Sequence, residues 1–87
     1  RVSGFLEVKA LKHPYRLPTA RLTQFPILKK WTMAGSKDII LVHHYMQGLW
    51  TACFVEELDF GVPSWDLRDF PSCQTAERAL MGTGMFL

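Results

Sequence analysis

The sequence is short of cysteine, of dense single-sign charge and of any catalytic signature, and each shortage excludes something. Two cysteines in 87 residues cannot build the disulfide lattice of a small secreted scaffold, and Cys53 and Cys73 are too far apart for a CxxC redox or zinc motif. Cys53 reads as a small buried hydrophobe inside an apolar segment. Cys73 reads as a thiol in a Pro-Ser-Cys-Gln loop. A bridge between them, and with it the redox compartment, stays open. No Gly-rich phosphate loop, HExxH, GxSxG or ordered Ser/His/Asp set is present, so no enzyme is expected. The basic residues are spread at irregular intervals and the acidic half would repel phosphate, so no nucleic acid is expected as a partner. No small-molecule substrate is expected either. At 10.0 kDa the chain has room for one small domain or one membrane-anchored subunit.

What is present is apolar mass and a charge polarity. Hydrophobic residues make up 48%, charged residues 21% and aromatics 13%, which excludes a disordered tail. Residues 1–37 carry Arg1, Lys9, Lys12, Arg16, Arg21, Lys29, Lys30 and Lys37 against the single acid Glu7. Residues 38–87 carry Arg68 and Arg78 against Asp38, Glu56, Glu57, Asp59, Asp66, Asp69 and Glu77. Such asymmetry between halves points to a membrane or to charged partners. The Arg1 start fits a processed organellar chain, and it also fits a fragment.

Residues 39–55, IILVHHYMQGLWTACFV, hold no formal charge. As a helix they span about 25 Å, the short edge of the transmembrane range. His44, Gln47 and Thr51 then share one stripe, with Gly48 and Ala52 beside it, and form a helix–helix interface of the small-xxx-small kind. Lys29, Lys30, Trp31 and Lys37 become anchors at the membrane–water boundary, and the lysines place the amino-terminal side on the matrix or stromal face. Residues 14–28, with Pro14, Pro18 and Pro26, read as an extended arm lying on something. Phe5 to Leu11 fits a short strand or two turns of amphipathic helix. In residues 60–76, Phe60, Trp65, Leu67 and Phe70 look for a partner surface. Ser72 or Thr75 would cap a short second helix with Glu77 near its positive end.

The expected fold is therefore mainly α. Residues 1–37 form a basic arm, 38–58 a single transmembrane helix, and 59–87 an acidic and aromatic loop with a short C-terminal helix. Two alternatives compete for the apolar run: a buried helix, or a β-hairpin with Gln47-Gly48 as its two-residue turn. The hairpin is disfavoured because both arms are continuously apolar, so both sheet faces would need covering by residues that are proline-broken and short of apolar mass.

His43 and His44 are the candidate cofactor ligands, for a haem or a chlorophyll magnesium supplied by a larger assembly. Adjacent helical histidines diverge by about 100°, too far to chelate one ion. The stretch His44-Tyr-Met-Gln-Gly48-Leu49 is similar to the His-x-x-x-Gly-Ile-Arg-His segment of the haem-binding membrane anchors of succinate dehydrogenase. The family's arginine and haem histidine would fall on Trp50 and Thr51, which cannot perform those roles, so haem binding and quinone chemistry are not carried over.

The functional expectation is a non-catalytic accessory (supernumerary) subunit. Its partners would be a lipid bilayer and the other subunits of an energy-transducing complex, respiratory before photosynthetic, in the mitochondrial inner membrane before the thylakoid. No cofactor is required by that reading. One alternative is a photosystem or antenna subunit with a histidine pigment ligand. The other is a small soluble binding module built on a 39–58 hairpin, with Trp50, Trp65 and Phe70 as anchors.

Overall fold

The computed structural model of the chain describes residues 4–22, 25–59 and 61–84. The apolar run is a β-hairpin. Strand β3 (Ile39–His44) and strand β4 (Leu49–Phe54) pair antiparallel, with His44 opposite Leu49 and Ile39 opposite Phe54. Their β-branched and aromatic content suits a pleated surface. The turn is four residues long, 45–48, not the two expected: Gln47 N–H donates to the His44 carbonyl at 3.0 Å, and Gly48 takes φ +67°.

The mainly-α expectation is thereby corrected. The protein is mixed α/β, with six strands in two sheets among the described residues. Among the described residues, no helix is long and apolar enough to cross a membrane. The apolar arms are continuous because the hairpin is the centre of a sheet covered on both faces. Strand β1 (Leu6–Leu11) pairs parallel to β3, and β6 (Ser72–Cys73) pairs antiparallel to β4, giving the order β1-β3-β4-β6. A parallel neighbour requires a crossover, and helix α1 (Phe25–Met33) lies within it.

The cover comes from the segments read as arms. Strand β2 (Arg16–Pro18) and strand β5 (Ser64–Asp66) make a two-stranded antiparallel ribbon in which Leu17 faces Trp65. Leu17, Leu22, Leu28, Trp65 and Leu67 join Leu11, Ile40, Val42, Cys53, Val55 and Leu58 in one buried cluster. The prolines permit this. Pro18 ends an edge strand and Pro26 sits in the first turn of α1, two places where a missing N–H costs little. On the opposite face, helix α2 (Ala76–Met81) packs on β4, β3 and β6. Thr75 caps it, its hydroxyl accepting the Arg78 N–H at 3.1 Å.

The charge polarity of the sequence is not a polarity in space. The two halves interleave: Arg16 lies opposite Asp66 in the ribbon, and Lys37 pairs with Glu56 at 3.1 Å. That layout removes the ground for a lysine-directed membrane orientation.

Gly48 separates hairpin from helix experimentally. Nothing lies within 4 Å of the Cβ that alanine would add, so Gly48→Ala costs only the left-handed backbone, about 1 kcal/mol. On a helix the same change would stabilise by about 1 kcal/mol. A lower urea midpoint is expected for the variant, and a raised one would contradict the turn.

Candidate functional site

One buried carboxylate organises the most distinctive surface. Asp38, 1% exposed, accepts three hydrogen bonds from three parts of the chain. Its Oδ1 takes the Phe5 N–H at 3.0 Å and the Ser36 hydroxyl at 2.7 Å, and its Oδ2 takes the Thr32 hydroxyl at 2.8 Å. The lead-in to β1, the last turn of α1 and the loop after it are thus held to a single point. A buried charge satisfied by several fixed donors rigidifies what surrounds it.

The aromatic pair above this point is exposed. Phe5 stacks on Trp31 with ring centroids 3.9 Å apart and planes at 19°. Phe5 is 51% exposed, Trp31 37%, and Ile27, one helical turn before Trp31, 46%. Leu28 turns inward from the same helix and is buried. The helix ends where Gly35 adopts φ +99° and the Ser36 N–H donates back to the Trp31 carbonyl at 2.9 Å, a Schellman-type closure. Phe5, Trp31, Ala34, Gly35 and Ser36 line a shallow cleft there. Lys30 stands exposed on the same helix.

The two histidines separate by face, as neighbours on a strand must. His43 lies flat on Trp50, centroids 3.9 Å apart and planes at 6°. His44 is buried, its Nε2 within 2.8 Å of the Thr51 hydroxyl, and its Nδ1 makes no well-formed hydrogen bond. They cannot serve one ion together. Among the described residues no group of three or more His, Cys, Asp or Glu is placed to hold a metal.

Burial pushes the His44 pKa below 6.5, with the His13 backbone opposing and neighbouring His43 adding to the depression. The folded state therefore resists a proton that the unfolded chain accepts. Stability is undiminished above pH 6.5 and declines as pH falls below it. Urea midpoints across that range should fall toward acid, and His44→Gln should flatten the slope. An equal slope in the variant would contradict the assignment.

The helix-interface stripe does not exist, because a period of two replaces one of 3.6. His44 and Thr51 share one sheet face, Ala52 lies on the other beneath α2, and Gln47 and Gly48 occupy the exposed turn. Lys29, Lys30 and Trp31 stand on α1, and Lys37 in the loop before β3, and among the described residues no helix is long and apolar enough to cross a membrane beside them. Trp65 and Leu67 are core residues, and the Trp65 indole donates to the Asp59 carbonyl at 2.7 Å. Phe70 packs partly buried against that core, and Phe60 lies outside the described residues. Cys53 and Cys73 are both free. They sit on opposite sheet faces by register, and burial pushes the Cys53 thiol up to about 12.

A second polar group lies on the ribbon. Arg68 chelates Asp66 and covers the Tyr15 ring at 4.0 Å. This contact holds the carboxyl of Asp66 down at about 2, and such an exposed pair adds little stability.

Sequence reasoning missed both Phe5 and the bridging role of Asp38. The one available signal was the Ser36-Lys37-Asp38 turn motif beside Thr32. Compared with protein-family models, curated proteins and solved structures, the chain matches none.

Proposed function

We propose that this chain is a non-catalytic binding module, and that its working surface is the Phe5–Trp31–Ile27 shelf. The sheet centred on the β3–β4 hairpin is the scaffold, and the surface sits where the lead-in to β1 meets the end of α1. The observation that carries the reading is the stacked, exposed aromatic pair fixed from below by Asp38. Leaving such a pair in water is costly, and aromatic anchors of this kind dominate binding energy at protein interfaces. Pre-organisation by three hydrogen bonds lowers the ordering cost of association. The exposed Lys30 beside the shelf favours an apolar segment carrying acidic neighbours.

This reading keeps the hairpin-based module and moves its anchors, because Trp65 is occupied in the core and Trp50 is stacked on His43. Panning a random dodecapeptide library against the chain tests it. Selected peptides should be apolar and acidic, and Trp31→Ala should weaken them by about 10-fold or more. Peptides that bind the Trp31→Ala and Phe5→Ala variants as well as the parent chain would refute the shelf.

A further inference from the structure

The outer edge of β1 carries a second, separate interaction surface. Ile39 N–H donates to the Phe5 carbonyl at 2.8 Å. From that bond a parallel ladder runs with alternate residues of β1 facing β3. Phe5, Glu7, Lys9 and Leu11 turn their backbone groups inward, while Leu6, Val8 and Ala10 turn theirs away from the sheet. Arg21 confirms the direction independently, its guanidinium donating to the Ala10 carbonyl at 2.8 Å. Among the described strands none pairs with this edge. Leu6 is 45% exposed and Val8 53%, on the sheet face that α2 covers over β3, β4 and β6. An open edge with exposed apolar side chains is a template for another strand.

The sequence of the edge specifies which strand. We propose that β1 pairs antiparallel with β1 of a second copy about a two-fold axis at Val8, joining two four-stranded sheets into one. In that register Val8 faces Val8 and Leu6 faces Ala10, all through outward-facing backbone groups. Glu7 and Lys9 already pair along their own strand at 3.4 Å, and in this register Glu7 also lies directly opposite Lys9 of the second copy, twice by symmetry. The neighbouring registers that keep the same backbone groups engaged place Glu7 against Glu7 or Lys9 against Lys9. Opposite charges across a strand pair stabilise it and like charges oppose it, so the charges select the Val8 register. The Ala10 carbonyl has two lone pairs and can accept from Leu6 while Arg21 remains. An isologous contact of this kind closes at two copies. A single strand edge is a small interface, so the dimer is weak and concentration-dependent.

Charge reversal tests this without touching Phe5 or Trp31, so it is independent of the shelf. Sedimentation equilibrium of the parent chain should show a reversible dimer. Glu7→Lys makes both positions basic and Lys9→Glu makes both acidic, so each variant alone should dissociate about 10-fold more readily. Mixed in equal amounts, the two variants restore every Glu–Lys pair and should recover the dimer. Val8→Pro removes an N–H that the β1–β3 ladder does not use, and should leave a folded monomer. A parent chain that stays monomeric at every concentration would overturn the proposal. So would a dimer indifferent to both reversals.

Discussion

Asp38→Ala should remove about 3–5 kcal/mol of folding stability, since three hydrogen bonds to a charged acceptor vanish and a part-buried amide and two part-buried hydroxyls lose their partner. For a domain this small that is a large share of the total. Asp38→Asn should be far milder. The Asn oxygen can accept from Phe5 and Ser36, while its amide donates to a Thr32 hydroxyl that turns to accept. Urea unfolding of the three proteins decides the matter. An Asn variant as damaged as the Ala variant would mean that the charge, rather than the bond pattern, holds the site. Binding by the aromatic shelf should follow the same order, because Phe5 and Trp31 are positioned through that carboxylate.

Leu17→Ala is the second large effect. Leu17 is 0% exposed and sits against Trp65 at the heart of the ribbon. Truncating a fully buried leucine costs about 2–5 kcal/mol through lost transfer energy and the cavity left behind. Met33→Ala, at a side chain 79% exposed, serves as the control and should change stability by less than about 0.5 kcal/mol. Had residues 14–28 formed an arm lying on a foreign surface, the isolated chain would tolerate both changes alike. Equal, small effects would therefore restore the arm and remove the ribbon from the core.

These two residues also show what could be read in advance. The apolar run is visible in the sequence, and its Ile, Val, Trp and Phe content makes a hairpin credible beside the expected helix. The sequence disfavours the hairpin because residues 14–28 and 60–76 are proline-broken and short of the apolar mass needed to cover two sheet faces. That inference failed at Leu17, Leu22 and Leu28, and again at Trp65 and Leu67. Single residues on short elements supply the cover: Leu17 and Trp65 on a three-residue ribbon, Leu28 on helix α1, Leu22 and Leu67 at single-turn positions. Periodicity cannot see such residues, since none belongs to a repeating pattern. Helical spacing, applied to strand residues, also manufactured a polar stripe from His44, Gln47 and Thr51. The His44–Thr51 contact within it is real, but as a diagonal pair across two strands.

The site was less legible than the fold. Trp31 among lysines stood out, although as a headgroup anchor. Its stacking partner Phe5 is remote in sequence, and Asp38 reaches Phe5 across a separation of 33 residues. No local pattern encodes a contact of that range. The edge strand was half visible. Phe5 to Leu11 read equally as strand or helix, and the Glu7/Lys9 symmetry about Val8 acquires meaning only once β1 is an unpaired edge.

Both surfaces depend on residues 39–54 folding back on themselves. Leu41 and Ala52 form a pair without direct hydrogen bonds in the ladder that begins with Val55 N–H on the Asp38 carbonyl, and in such pairs the α-protons nearly touch. On a continuous helix the same residues would lie about 16 Å apart. A nuclear Overhauser spectrum of the chain should show a strong Leu41–Ala52 α-proton cross-peak, with companions at Ile39–Phe54 and His43–Trp50. Their absence, with helical contacts from Leu41 to His44 in their place, would contradict the fold and the two surfaces built on it.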